Sequence, residues 1–155
     1  MHNRVSVDDV IASATPLLDE QICFALYNAS RALTARYRDL LEPMGLTYPQ
    51  YLVLLVLWES GTATVSQIGE RLHLESGTLS PLLRRLDAGG TIRRTRMPHD
   101  ERSVQVSLTE RGDRLRAEAA GIPEQLCAAT GLRVEDLVAL TGQLTQLADH
   151  ARPTR

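Results

Sequence analysis

Cys23 and Cys127 are the only thiols in this sequence. A thiolate attacks electrophilic oxygen or sulfur, so a solitary cysteine reads either as a redox-reactive group or as a small core hydrophobe. The two cysteines form no CxxC pair, and His2, His73, His99 and His150 have no metal-ligand spacing, so neither a metal nor a cofactor is expected. In a reducing cytosol two such thiols are inert or redox-active rather than a permanent bridge.

The surroundings of Cys23 are aromatic. Phe24 follows it, Tyr27 lies one helical turn on, Tyr37 lies further along the same stretch, and Tyr48 opens the next one. On an ideal helix Tyr27 and Tyr37 project within roughly 40° of Cys23, but Tyr37 sits about 21 Å further along the axis. Tyr37 therefore cannot touch Cys23 of its own helix. Two copies crossing antiparallel near residue 30 would bring Cys23 of one level with Tyr37 of the other, assembling a dimer and two mixed pockets together. Asp19 and Glu20, one turn before Cys23, oppose a thiolate there, and Arg31 is about 12 Å away along the axis. Hydrogen bonds donated by tyrosine hydroxyls of the second copy would compensate. The plain alternatives are a packed core cysteine and ordinary amphipathic packing of the tyrosines.

These residues need elements to hold them. Thr15-Pro16 offers an N-cap and a first-turn proline for one long helix, whose apolar pattern runs from Leu17 to Glu42 before Pro43 and Gly45 stop it. Thr47 with Gln50 and Thr64 with Gln67 match capping boxes, predicting helices to about Glu59 and about Leu72. Ser76 is the next N-cap expected, ahead of a helix that the Gly89-Gly90 pair ends after Ala88. Thr91 to Arg96 and Ser103 to Leu108 read as two strands around a turn at Met97 to Arg102. A helix follows from Thr109 to about Thr130, bent at Pro123. The last runs from Val134 to Ala151, with Leu137, Leu140, Leu144, Leu147 and Ala148 on one face.

A chain of 155 residues, 43% hydrophobic, fits one domain. The fold expected is mainly α with a small β-hairpin wing, a winged helix-turn-helix over residues 47–108 flanked by helical dimerisation segments at 8–46 and 109–151. The polar start without an apolar leader, and a longest apolar stretch of only Tyr51 to Trp58, predict a cytoplasmic protein without a membrane span.

Two short helices joined by His73-Leu74-Glu75 and followed by a basic hairpin have the order of a DNA reader. Ser76, Thr78 and Ser80 offer small hydroxyls to phosphates or base edges, Leu79, Leu82, Leu83 and Leu86 face the core, and Arg84 and Arg85 lie toward the far end. The wing carries Arg93, Arg94 and Arg96. Net charge is −2, yet residues 84–102 hold six arginines against Asp87, Asp100 and Glu101, a local +3 that leaves −5 for the rest. A basic island on an acidic body is the footprint of a phosphate-contact surface, although any single surface arginine is more often simply solvated.

Asp100-x-Arg102, five residues, then Leu108-Thr109-x-x-Gly112 resembles the signature of the MarR transcription factors. The resemblance covers nearly the whole chain and implies a homodimer built by the terminal helices, with Asp100 holding the wing and Arg102 approaching the minor groove. The stretch from Asp19 to Tyr27, with Tyr37 and Tyr48, is similar to the organic hydroperoxide resistance branch of that family. That likeness implies that Cys23 is the peroxide-reactive thiol, that Tyr37 and Tyr48 reach it from the partner chain, and that Cys127 closes an intersubunit disulfide; an inert Cys127 stays open.

The resulting expectation is a repressor, not an enzyme, bound as a dimer to a pseudo-palindromic duplex with recognition helices roughly 34 Å apart and released by an organic hydroperoxide. Two alternatives stand beside it. One is a MarR-type repressor released by a non-covalently bound aromatic acid in the same cleft. The other is a thiol peroxidase, against which the DNA-reading half stands.

Overall fold

The computed structural model describes residues 17–153, which divide into two units, one ending at Arg36 and the other starting at Tyr37. Helix α1 (Ile22–Leu41) runs across that boundary. Thr15 and Pro16, expected to open it, lie outside the described residues.

In the first unit the long helix starts later than its apolar pattern predicts. Leu18–Glu20 form a 3-10 turn and Gln21 is extended (φ −84°, ψ 114°), so the first helical bond runs from Ala25 N–H to the Gln21 carbonyl at 3.1 Å. Asp19 and Glu20 thus precede the positive end of the helix dipole, where negative charge is favoured. Cys23 is consequently the second residue of α1, in the turn whose backbone N–H groups have no partner inside the helix.

The second unit contains α2 (Tyr48–Ser60), β1 (Thr62–Thr64), α3 (Val65–Leu72), α4 (Ser76–Ala88), β2 (Ile92–Met97), β3 (Asp100–Leu108), α5 (Glu110–Glu118), α6 (Ile122–Thr130) and α7 (Val134–Ala151). Both capping boxes form: Thr47 and Thr64 accept from the Gln50 and Gln67 backbones at 3.4 and 3.2 Å, and the two glutamine side chains accept in return. His73 ends α3 in the left-handed conformation (φ 54°), and Leu74 N–H then bonds Gly69 O at 2.9 Å. The approach is so close that a Cβ on Gly69 would lie 2.9 Å from Leu74 O.

Three sequence expectations are corrected. Ser76 is the first residue of α4, not its cap; Glu75 takes the N-cap position, its carbonyl accepting from Thr78 and Leu79, because His73 completes the reversal one residue early. The break in the helix after Thr109 falls at Ala119–Gly121 rather than at Pro123. Proline lacks the N–H that would have bonded the carbonyl four residues back, so the distortion lies ahead of it while Pro123 itself sits in the first turn of α6. The hairpin also gains a third strand: β1 pairs antiparallel with β3 (Ala63 opposite Val106), giving the order β1-β3-β2.

The core of this unit is Leu41 and Val53, Leu54 and Leu57 of α1 and α2, Ile68 of α3, the α4 leucines, and Ile92 and Val106 of the sheet. Leu79, Leu82, Leu83 and Leu86 are all buried, as their spacing predicts. Helix α7 is different: its apolar residues Val134, Val138, Leu140, Leu144 and Leu147 are exposed, and none of its eighteen residues is buried. Among the described residues no single helix is long and apolar enough to cross a membrane.

Candidate nucleic-acid interface and thiol site

The wing rests on one joint. Thr109 caps α5 by accepting from Gly112 N–H at 3.2 Å, while its hydroxyl lies 2.6 Å from Gly90 O and 3.0 Å from Thr91 O. Gly112 is pressed against the same place, since a Cβ there would sit 2.2 Å from the Thr91 carbonyl oxygen. Trp58 of α2 closes the joint by donating Nε1–H to Gly112 O at 3.0 Å. The Leu108-Thr109-x-x-Gly112 motif is thus a cap and a close approach that fix where both wing strands begin and end.

At the wing tip Asp100 Oδ1 accepts from the Arg102 backbone N–H at 3.1 Å, so the aspartate shapes the turn by a charge-assisted bond. β2 and β3 run in register from Ile92–Leu108 to Arg96–Val104 and slip at Met97. Arg94 Nε binds Asp87 Oδ2 at 3.0 Å, tying β2 to α4, whereas Arg84, Arg85, Arg93, Arg96 and Arg102 are exposed and form no ion pair among the described residues. Arg94 therefore serves first as a brace between wing and helix. On α4, Ser76 and Thr78 are exposed and Ser80 is partly so. Ser76 is the first residue of the helix and not its cap, and it lies exposed there.

The thiol residues fall in both units. Cys23 is an exposed free thiol, with Phe24 and Tyr27 exposed beside it. The Arg31 guanidinium reaches back over the Tyr27 ring, 5.4 Å from its centroid. Cys127 is a free, partly buried thiol in α6, and its carbonyl accepts from the Thr130 hydroxyl at 2.7 Å.

In the second unit Tyr37 and Tyr48 are stacked, with ring centroids 4.4 Å apart. Two residues not singled out in the sequence extend this pair: Tyr51 lies 5.7 Å from Tyr37, and Trp58 meets Tyr51 edge-on at 6.1 Å. Their spacing along α2 puts Tyr48, Tyr51 and Trp58 on one helical face, which is the signal that was available. Burial, reinforced by Tyr48 and Tyr51, pushes the Tyr37 phenol up to about 12. Burial raises Tyr48 and Tyr51 as well. These hydroxyls therefore stay protonated and can donate, and those of Tyr37 and Tyr48 have no hydrogen-bond partner among the described residues.

A helix exposed beside an arginine-lined, three-stranded wing defines a winged helix-turn-helix DNA-binding protein. The family profile of the transcriptional regulator SarA/Rot matches residues 36–118. The chain is 46% identical over 132 residues to the organic hydroperoxide resistance transcriptional regulator of Bacillus subtilis, across 85% of this chain and 90% of that protein. It is 47% identical over 137 residues to the HTH-type transcriptional regulator TtmR of Methylorubrum extorquens, across 87% and 70% of the two chains. The structure of reduced AbfR bound to DNA superposes with a TM-score of 0.73 at 34% identity, covering 86% of this chain and 93% of that one. For disulfide-formed AbfR the TM-score is 0.59 at 36% identity, covering 84% and 92%; AbfR comes from Staphylococcus epidermidis. The chain belongs to the MarR family of winged-helix transcriptional regulators, within its organic hydroperoxide resistance branch.

Proposed function

We propose that the chain is a homodimeric repressor that senses organic hydroperoxides through Cys23 and then releases its operator. The observation that carries this reading is the stacked pair of Tyr37 and Tyr48, whose protonated hydroxyls have no partner among the described residues while an exposed thiol stands in the first turn of α1. In the proposed dimer those hydroxyls donate to Cys23 of the partner subunit. The N–H groups at the start of α1, which have no partner inside the helix, stand in the same turn as that sulfur. The bare apolar faces of α7 and of Leu17, Leu18, Ile22 and Phe24 support a second copy as their cover.

The sulfur attacks the distal oxygen of the hydroperoxide and the O–O bond breaks. The alkoxide leaves as the alcohol with a proton, and Cys23, oxidised by two electrons, becomes a sulfenic acid. Cys127 of the partner subunit then attacks that sulfur; the S–O bond breaks, water departs and a disulfide forms. That AbfR is known in both reduced, DNA-bound and disulfide-formed states supports such a cycle in a relative. The DNA contacts proposed are Ser76, Thr78 and Ser80 on α4, Arg84 and Arg85 at its end, and Arg96 and Arg102 on the wing, with Arg94 and Asp100 holding the wing in place.

The test is operator binding by gel shift with and without cumene hydroperoxide, beside non-reducing electrophoresis. Cys23→Ser should bind operator and ignore the peroxide; release of that variant at the wild-type peroxide dose would overturn the reading. A cavity of about 330 Å³ lined by Tyr51, Leu55, Trp58, Arg116, Pro123 and Glu59, whose carboxylate is paired with Arg71 at 3.2 Å, favours one second reading, release by a bound aromatic acid. Benzoate-type acids that release both wild type and Cys23→Ser would establish that reading instead.

A further inference from the structure

We infer that Trp58 is the positioning residue through which the tyrosine pair sets the wing. This rests on the proposed sensing role of Tyr37 and Tyr48, and it concerns a residue that never meets the peroxide. Two observations place Trp58 between the two sites. On one side its ring is the end of a continuous aromatic series, Tyr48 to Tyr37 at 4.4 Å, Tyr37 to Tyr51 at 5.7 Å and Tyr51 to Trp58 at 6.1 Å. On the other, its indole N–H holds Gly112 O at 3.0 Å, inside the joint from which the wing strands leave.

Both ends of this connection are stiff. Tyr51 is buried, so its ring cannot move without displacing its neighbours. Gly112 packs directly on the Thr91 carbonyl, which occupies the space a Cβ would need, so the first turn of α5 cannot shift without taking Thr91 with it. The link between these ends is one hydrogen bond spanning 54 residues of sequence, which exchanges a shift of the Trp58 ring for a shift of the first turn of α5. Thr109 then carries that shift to Gly90 and Thr91 through its 2.6 and 3.0 Å contacts, and so to β2. When the thiol that Tyr37 and Tyr48 serve is oxidised, the ring pair loses its partner and repacks; the displacement reaches the wing only while the indole N–H is engaged.

Trp58→Phe keeps the edge contact with Tyr51 and deletes the N–H. Three quantities are measured on purified protein: the rate of Cys23 oxidation by cumene hydroperoxide, operator affinity reduced, and operator affinity oxidised. Trp58→Phe should oxidise at the wild-type rate and bind operator within about threefold of wild type when reduced. Its reduced-to-oxidised affinity ratio should fall at least fivefold, about 1 kcal/mol of coupling. Tyr51→Leu, cutting the other side, should lose a similar factor, and the double variant should lose no more than either single one. A wild-type ratio in Trp58→Phe, or additive losses in the double variant, overturns the inference. Absence of any peroxide response in wild type would instead overturn the sensing reading on which it rests.

Discussion

Substituting Gly112 by alanine tests whether the wing joint is as tight as its geometry implies. The added methyl would stand 2.2 Å from the Thr91 carbonyl oxygen, 3.1 Å from Leu108 Cδ2 and 3.2 Å from the Thr91 carbonyl carbon. Ordinary contact would require the first of these to open by about 1 Å or more. The obstacle is backbone, and Thr109 pins it through its own N–H at 3.1 Å and its hydroxyl at 3.0 Å. Overpacking of this kind costs about 1–3 kcal/mol or more, and strain on the surrounding hydrogen bonds adds about 1 kcal/mol each. Alanine's helix propensity returns about 1 kcal/mol. The net expectation is a loss of about 3 kcal/mol, a fall in Tm of roughly 6–12 °C for a chain of this size. Gly77→Ala in α4 is the control, because nothing lies within 4 Å of its Cβ position; it should stabilise by up to about 1 kcal/mol. Urea unfolding of both variants at one protein concentration measures the difference. A Gly112→Ala protein within about 1 kcal/mol of wild type would refute the packing argument.

Other outcomes follow from the same geometry. Arg96→Gln should lower the slope of log K against log salt for operator binding by about 0.9, the loss of one phosphate contact, while Arg94→Gln, already engaged with Asp87, should change it less. Asp100→Ala should cost under about 1 kcal/mol of stability in its exposed turn, yet weaken operator binding about tenfold, because the Arg102 N–H loses the acceptor that shapes the wing tip. The raised Tyr37 phenol means the folded state holds its proton more tightly than the unfolded chain. Stability from this group is therefore full below pH 10 and declines as pH rises toward about 12, which alkaline unfolding read beside phenolate absorbance in a Tyr27→Phe background would show; phenolate appearing in that variant at pH 10 before unfolding would contradict the burial.

Local grammar was readable in the sequence wherever both partners lie within a turn of each other. The boxes at Thr47 and Gln50 and at Thr64 and Gln67 form as written, and α7 runs from Val134 to Ala151 as its apolar spacing demands. The misreadings share a cause. Leu17 and Leu18 continue the apolar period of α1 backwards, so periodicity alone could not show that Gln21 turns extended and leaves Cys23 in a first turn. Ser76 looked like a cap because its residue type is right, but the reversal that decides the cap belongs to His73. β1 has only three residues and exists by pairing with β3 some forty positions on, and the Trp58 bond to Gly112 spans a still longer gap. Residue types announced both motifs; the contacts that join them are long-range and left no local trace.

The three-residue reversal between α3 and α4 constrains how chains of this kind can vary in length. His73 is held left-handed, Leu74 is hydrogen-bonded back to Gly69, and their backbones meet too closely to admit a methyl group. One inserted residue here would rotate α4 by about 100° and carry Ser76 and Thr78 away from the side that bears them, while sending Leu79 and Leu83 toward water. Insertions and deletions should therefore accumulate at the exposed wing tip near Pro98 and His99, where extra backbone lengthens a turn without re-aiming a helix.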